Sequence, residues 1–370
     1  MNIVSFIWPF VVVIAVIVFV HELGHFLFAR MFGVKVTDFS IGFGKEIFGF
    51  NDKKGTRWKL CLFPLGGYVQ FAGDANAASA ADSANIEKLS VEEKKHIIHY
   101  KAPWQKILIS FAGPLFNYIL AFFLMFAIFS VKGTPDSKMK IKEVIKGKPA
   151  EGVLMEDDMI LGLNGKKITS VHQFITAVGG LEDKNNLDLL VGRKGKQLKI
   201  NIKPDITNGK ATIGIMMENK MFYKPASMLQ AVLGSFMYLY DMSYMLLDFI
   251  KNIITGEQSY KGVGSVVSIA AMSDKIAKEK DLWLFLGFLA MLSLNIGFIN
   301  LLPLPMLDGG HILFSFIEML TRRKIPMRLQ ENFIKLGFLF ILFVMVLTIS
   351  NDIERFNIID TVKKYFIKQK

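Results

Sequence analysis

The chain of 370 residues is 52% hydrophobic and 21% charged, with 33 Phe and 19 Met. Its mean hydropathy is +0.38, which excludes a disordered chain, a collagen-like chain and an ordinary soluble enzyme. The lone cysteine, Cys61, excludes a disulfide framework and a multi-cysteine metal site, and 44 Lys/Arg against 32 Asp/Glu leave a net charge of +12 that in so apolar a chain belongs at membrane surfaces rather than against nucleic acid.

About 20 apolar residues cross a bilayer core of about 30 Å. Residues 1–20 carry no charge and run directly into His21-Glu22-Leu23-Gly24-His25. They lack a basic leading region and a small-residue cleavage pattern, so the segment 1–30 is predicted to be a retained span, not a signal peptide. Residues 31–103 are predicted as a membrane-associated β-hairpin insert and loop. Within it the runs 45–50 and 57–63 flank an Asn-Asp-Lys-Lys-Gly turn, and Gly66-Gly67 marks a break before Tyr68–Phe71. Residues 73–99, first Ala/Ser/Asp-rich and then Glu/Lys-rich, read as a mobile loop and a charged surface helix carrying solvated His96 and His99.

The second span is expected over 104–131, where positions 107–131 are uncharged. Residues 132–220 read as a small α+β domain. It has an alternating strand at 138–145, an apolar strand at 159–163 ending in Asn164-Gly165, a helix at 170–178, and a hairpin of 187–191 and 198–202 around a Lys-Gly turn. Residues 221–281 hold amphipathic helices. In 228–250, Asp241 and Asp248 lie seven apart on one helical face, which favours a helix lying on the membrane or packed on the protein over a span. A third span is expected over 282–310, a loop over 311–332, a fourth span over 333–351 and a basic tail over 352–370.

Orientation follows from Lys/Arg bias in the loops. The loop 26–103 and the loop with Arg322, Arg323, Lys324 and Arg328 are basic, which places them on the cytoplasmic side and puts both termini and 132–281 outside. The tail is basic too, and it is given less weight than the N-terminal asymmetry.

His21-Glu22-Leu23-Gly24-His25 is an H-E-x-x-H pattern. On a helix, residues i and i+4 share a face, so both imidazoles reach one Zn²⁺, with Glu22 beside them to take a proton from water. Such polar groups at the end of an apolar helix are functional by default. A catalytic zinc needs a third protein ligand. The candidate is Asp308, which closes 26 uncharged positions in Asn300-Leu-Leu-Pro-Leu-Pro-Met-Leu-Asp308-Gly-Gly; the prolines and glycines break the helix and aim the carboxylate inward. For Asp308 to share the depth of His21 and His25, exactly one span must lie between them, so 228–250 must not cross.

At these residues the chain resembles the site-2 proteases, intramembrane zinc metalloproteases, and within them the bacterial regulator of sigma-E protease group. The residues that carry the resemblance are His21–His25, Phe111-Ala-Gly113-Pro114-Leu-Phe-Asn117, Phe63-Pro-Leu-Gly-Gly-Tyr-Val and Asn300–Gly310. The order of elements in 132–220 is similar to a PDZ domain. The resemblance implies one Zn²⁺ per chain held by His21, His25 and Asp308, with Glu22 as general base and Asn300 contacting substrate backbone or oxyanion. Asn117, on an apolar helix, is expected to be structural, making a helix–helix hydrogen bond inside the bundle. The resemblance also implies a polytopic protein of four transmembrane helices in a bacterial inner membrane, with one periplasmic PDZ-like domain. The implied substrates are single-span membrane proteins already trimmed by a periplasmic site-1 protease, held as an added strand by the β insert. The enterobacterial members carry two tandem PDZ domains and a Gly-Pro-Val-Gly-Ile stretch, whereas this chain has room for one domain and reads Gly264-Ser-Val-Val-Ser-Ile269. Two other classes use the same residues: a membrane-anchored zincin cutting juxtamembrane or soluble peptides, and a non-catalytic PDZ-bearing scaffold.

Overall fold

The computed structural model describes residues 3–74, 89–136, 139–168, 171–179, 186–207, 210–217, 222–259 and 264–355. The helices are α1 (Ile3–Met31), α2 (Val91–Lys94), α3 (Pro103–Lys132), α4 (Val171–Gly179), α5 (Met228–Ile254), α6 (Val266–Lys278), α7 (Leu282–Asn300), α8 (Asp308–Thr321) and α9 (Met327–Arg355). The strands are β1 (Val36–Asn51), β2 (Arg57–Phe71), β3 (Thr134–Asp136), β4 (Met139–Val144), β5 (Met159–Leu163), β6 (Lys166–Lys167), β7 (Leu187–Arg193), β8 (Lys196–Ile202), β9 (Asp205–Thr207), β10 (Lys210–Thr212), β11 (Ile215–Met217) and β12 (Phe222–Lys224). Two compact units result, one of 1–128 with 232–370 and one of 129–231.

Among the described residues, four helices are long and apolar enough to cross a membrane: Ile7–Met31, Pro103–Lys132, Leu282–Asn300 and Asn332–Asp352. The chain is therefore a multi-pass membrane protein. α5 is not among the four. It packs on α3 instead, through Tyr118 Oη to Ser243 Oγ at 2.9 Å and through Phe122 against Phe236 at 4.7 Å. α1 ends in a two-bond glycine cap: Gly33, at φ 67°, donates to Arg30 O and Val34 donates to Ala29 O.

β1 and β2 form one long, bulged hairpin. Phe39 lies opposite both Val69 and Trp58, and Ile41 opposite both Gly67 and Leu60, so the first half of β1 is flanked on both sides by β2. Val36, Phe39, Val69 and Phe71 pack with Phe26 and Ala29 of α1. Arg30 ties the turn to the same helix, donating to Asp52 and to Thr56, each at 2.6 Å. The far end of the hairpin instead exposes Phe43, Ile47, Phe48, Phe50, Leu62 and Phe63.

Four sequence expectations are corrected. Gly66-Gly67 does not break the strand: β2 runs through to Phe71, with Gly66 against the Phe43 ring and Gly67 against Val18 and Glu22 of α1, where a side chain would not fit. The third span ends at Asn300, and Asp308 begins a separate helix. The expected loop over 311–332 is mostly that helix, α8, whose apolar period is too short to stand out beside Arg322-Arg323. His96 and His99 are not on a charged helix. They follow the one-turn α2, and their rings bond to Gly33 O and to the buried Asp74 carboxylate respectively. The expected mobile loop over 73–99 falls mainly on 75–88, and Ser170 and most of the tail are also outside the described residues.

In the second unit, the sheet runs in the order β11-β4-β5-β7-β8, with β6 paired to β5. Ile141, Ile160, Leu187, Leu189 and Val191 pack against Phe174 and Val178 of α4 to form its core. The Asn164-Gly165 and Lys194-Gly195 turns both take positive φ at their two central residues, the geometry that closes tight hairpins.

Asp158 enters β5 almost wholly buried, accepting Arg193 Nε at 2.8 Å, Arg193 Nη2 at 2.7 Å and the Met155 amide at 2.9 Å. Burial alone raises its pKa, but the Arg193 guanidinium and the Met155 amide hold it below the usual carboxylate range. The folded pKa lies below the unfolded one, so this stabilisation is present above about pH 4 and lost as the pH falls through the folded value. Asp158→Asn is expected to cost this unit about 2–3 kcal/mol at neutral pH. It should also flatten the acid limb of stability, both read by hydrogen exchange at β5 and β7 in the full-length protein.

Candidate metal centre

Three donors converge from two elements of the first unit. His21 and His25 lie one turn apart on α1, and Asp308 opens α8. His21 Nε2 is 3.1 Å from Asp308 Oδ2, His25 Nε2 is 3.3 Å from Asp308 Oδ1, and the two Nε2 atoms are 3.2 Å apart. Among the described residues this is the cluster of His, Cys, Asp and Glu that can hold a metal ion.

The second ring nitrogens decide what faces the centre. His25 Nδ1 lies 2.8 Å from Ile109 O. A carbonyl only accepts, so Nδ1 carries the proton and Nε2 presents a lone pair. His21 Nδ1 lies 3.2 Å from the Asn117 side-chain amide, whose Oδ1 is buried and otherwise lacks a partner. Rotating that amide by 180° gives Oδ1 the His21 Nδ1–H, because O and N of an amide are assigned from their partners. With both rings neutral in these tautomers, two imidazole lone pairs face two carboxylate oxygens. Four acceptors at hydrogen-bond distance repel one another unless a cation sits between them. Two imidazoles, each oriented through its outer nitrogen, and one carboxylate suit zinc.

The helices that supply these outer partners approach closely. A Cβ built on Gly113 of α3 would lie 2.2 Å from His25 Nε2 and 2.9 Å from His21 Cε1; one on Gly24 would lie 2.3 Å from Ala112 O. Ser293 of α7 donates to Asn117 O at 2.9 Å, and Gly297 lies against Pro114 and Asn117. Gly113 and Asn117 thus belong to the centre, contrary to the expectation that Asn117 is only structural. Their i, i+4 spacing on an uncharged helix was the available signal.

Asp308 is delivered by an irregular turn. Pro303 and Pro305 forbid the helix, Met306 takes a left-handed φ of 69°, and Gly309 and Gly310 pack onto the Leu302 and Leu304 carbonyls so closely that no side chain fits there. Glu22 lies on α1 within Coulombic range of His21, His25 and Asp308, and the Val69 amide of β2 lies in hydrogen-bonding reach of its carboxylate. Gly67 abuts Val18 and Glu22, so the 67–71 stretch of β2 runs beside Glu22. Asn300 ends α7, half-buried, and makes no hydrogen bond to His21, Glu22, His25 or Asp308.

The chain matches the profile of Peptidase family M50 over residues 9–344, and it belongs to that family, the zinc metalloproteases of site-2 type. The protein called "Putative zinc metalloprotease mll0638" of Mesorhizobium japonicum is 34% identical over 360 residues, covering 93% of this chain and 97% of that one. "Putative zinc metalloprotease Cj1068" of Campylobacter jejuni is 35% identical over 355 residues, covering 93% and 92%. Metalloprotease MmpA of Caulobacter vibrioides is 29% identical over 382 residues, covering 94% of each. Among solved structures, the PDZ domain of an SdrC-like protein from Listeria innocua is similar at 20% identity and a TM-score of 0.22, covering 23% of this chain and 99% of that one.

The contact at Gly113 yields a test. Gly113→Ala is expected to displace both imidazoles while leaving the helices in place. Zinc per chain, measured on purified protein, should fall at least threefold with helical content unchanged.

Proposed function

We propose that this M50 metalloprotease is an intramembrane endopeptidase with one Zn²⁺ held by His21, His25 and Asp308. The observation that carries the reading is the convergence of His21 Nε2, His25 Nε2 and the Asp308 carboxylate at 3.1–3.3 Å between apolar helices. His25 lies six residues before the end of α1, or about 9 Å along a helix that rises about 1.5 Å per residue. This depth supports a scissile bond below the membrane surface and disfavours a zincin acting on soluble peptides.

Zinc at this position supplies Lewis acidity toward a peptide carbonyl and toward water. Glu22, the residue after His21, is the general base: its carboxylate takes a proton from water and returns it to the leaving amine. Asn300 is assigned to the substrate backbone or oxyanion, a contact that substrate would complete. The 67–71 stretch of β2, with the Val69 amide turned toward Glu22, gives an extended substrate a strand to pair with. The substrate segment must unwind first, because helical amides are already bonded internally. The exposed aromatic end of the hairpin favours contact with lipid.

The substrates we assign are single-span membrane proteins of anti-sigma-factor type or remnant signal peptides, pre-cut by a periplasmic site-1 protease. The membrane is a bacterial inner membrane, with the 132–220 region outside acting as a PDZ-like filter and the hairpin on the cytoplasmic side. The bulged sheet order and the single α4 against it support the PDZ-like assignment.

Two substitutions separate binding from chemistry. Glu22→Gln is expected to retain zinc and lower cleavage of a co-expressed single-span substrate by at least 1,000-fold, or about 4 kcal/mol of barrier; unchanged turnover would remove Glu22 from its role. Asp308→Ala should lower zinc occupancy, measured by metal analysis, and full retention would place the third ligand elsewhere.

A further inference from the structure

We propose that a buried ion pair remote from the metal donors, Lys106–Glu318, is a positioning brace that sets Asp308 against His21 and His25. The inference rests on the metal reading above. Lys106 Nζ lies 2.8 Å from Glu318 Oε2, and the two side chains are 16% and 6% exposed. The other Glu318 oxygen accepts the Ile325 amide at 3.1 Å. One carboxylate therefore joins the first turns of α3, the last turns of α8 and the connection to α9. Beside it, Lys324 stands 4.5 Å over the Tyr100 ring, a second link between the chain just before α3 and the chain just after α8.

The spacing explains why this pair bears on the centre. Glu318 follows Asp308 by ten residues, about 15 Å of helix. On α3, Lys106 precedes Gly113 by seven residues and Asn117 by eleven, about 10 and 16 Å. The two helices are thus linked at two levels with matching separations, at the metal donors through His21 and His25 of α1 and directly at the ion pair. Ile109, whose carbonyl orients His25, is one turn beyond Lys106. Asp308 is the first residue of α8 and follows an irregular turn, so the axial position of α8 determines where its carboxylate falls. A metal site tolerates errors of only about 0.5 Å.

An ion pair this buried is a poor way to gain stability, since a well-packed apolar pair does as well or better. What it supplies is a fixed distance between two helices. Packing alone leaves that distance adjustable, because apolar surfaces in lipid have no directional preference.

The test uses the full-length protein in detergent with Co²⁺ as the probe, reading its affinity and its visible absorption, which reports coordination geometry independently of proteolysis. Lys106→Met leaves Glu318 buried and unpaired, and should lower Co²⁺ affinity at least tenfold. The double variant Lys106→Met with Glu318→Met restores an apolar contact. It should melt within a few degrees of wild type, yet keep the tenfold loss and show an altered absorption band. Lys106→Arg, which preserves the charge, should recover affinity to within about threefold. A folded double variant with wild-type affinity and spectrum would overturn the brace. If wild-type protein took up no Co²⁺ or Zn²⁺, the metal reading itself would fall, and the brace with it.

Discussion

The centre depends on one electrostatic constraint: lone pairs brought together in a low-dielectric interior need a positive charge between them. His25 is held in its tautomer by Ile109 O, and His21 by Asn117. Both rings turn their Nε2 atoms toward a carboxylate that is itself only an acceptor when ionised. In water such a cluster would relax by rotating apart. Here Gly113 lies directly against both rings, and the tight packing of Gly309 and Gly310 on the Leu301–Leu304 backbone fixes the turn that carries Asp308. The folding energy of the bundle is thereby spent on keeping acceptors at contact distance, which preorganises them for a cation.

That arrangement is possible because the backbones approach without side chains between them. Gly24 lets α1 meet α3 at Ala112, and Gly297 lets α7 meet α3 at Pro114 and Asn117. Small residues serve this purpose in membranes, where no hydrophobic force separates a helix contact from a lipid contact. The polar atoms of the centre gain by the same geometry. Ser293 reaches the Asn117 carbonyl only because Gly297, one turn on, brings α7 down onto α3.

Much of this was legible in the sequence for simple reasons. Helical period places His21 and His25 on one face, and a single carboxylate ending 26 uncharged positions must have a partner. The order of strands in 132–220 was readable because its turns need glycine at positive φ. What was not legible depends on contacts across space. Gly66-Gly67 read as a break because glycine is permissive, yet here Gly67 serves close packing of β2 on α1 and Gly66 makes room for Phe43. Asn117 read as structural because an amide on an apolar helix has no direction in sequence. Glu318 carried no signal at all: only the fold brings it to Lys106, 212 positions away.

α9 shows how a helix with little lateral burial is nonetheless fixed. Leu336 and the run Phe338–Val346 are exposed, so packing along its length does not hold it to the bundle. Its two ends do. Near the start, Phe333 packs edge-on to Phe314 of α8 at 4.7 Å, and Gly337 lies against Pro305 so closely that a Cβ would come within 2.2 Å of the proline ring. At the other end, Asp352 is buried and takes four hydrogen bonds from Ser265 and Ser268, two from their amides and two from their hydroxyls. Those groups open α6, so the carboxylate satisfies helix donors that would otherwise be orphaned and complements the helix dipole. α6 in turn packs on Val13 and Ile17 of α1. The turn that delivers Asp308 and the helix that carries His21 are therefore joined a second way, around the outside of the bundle through α9. The long apolar run over 336–350 is accordingly a strut fixed at two polar or close-packed joints, and it leaves a broad apolar flank facing lipid.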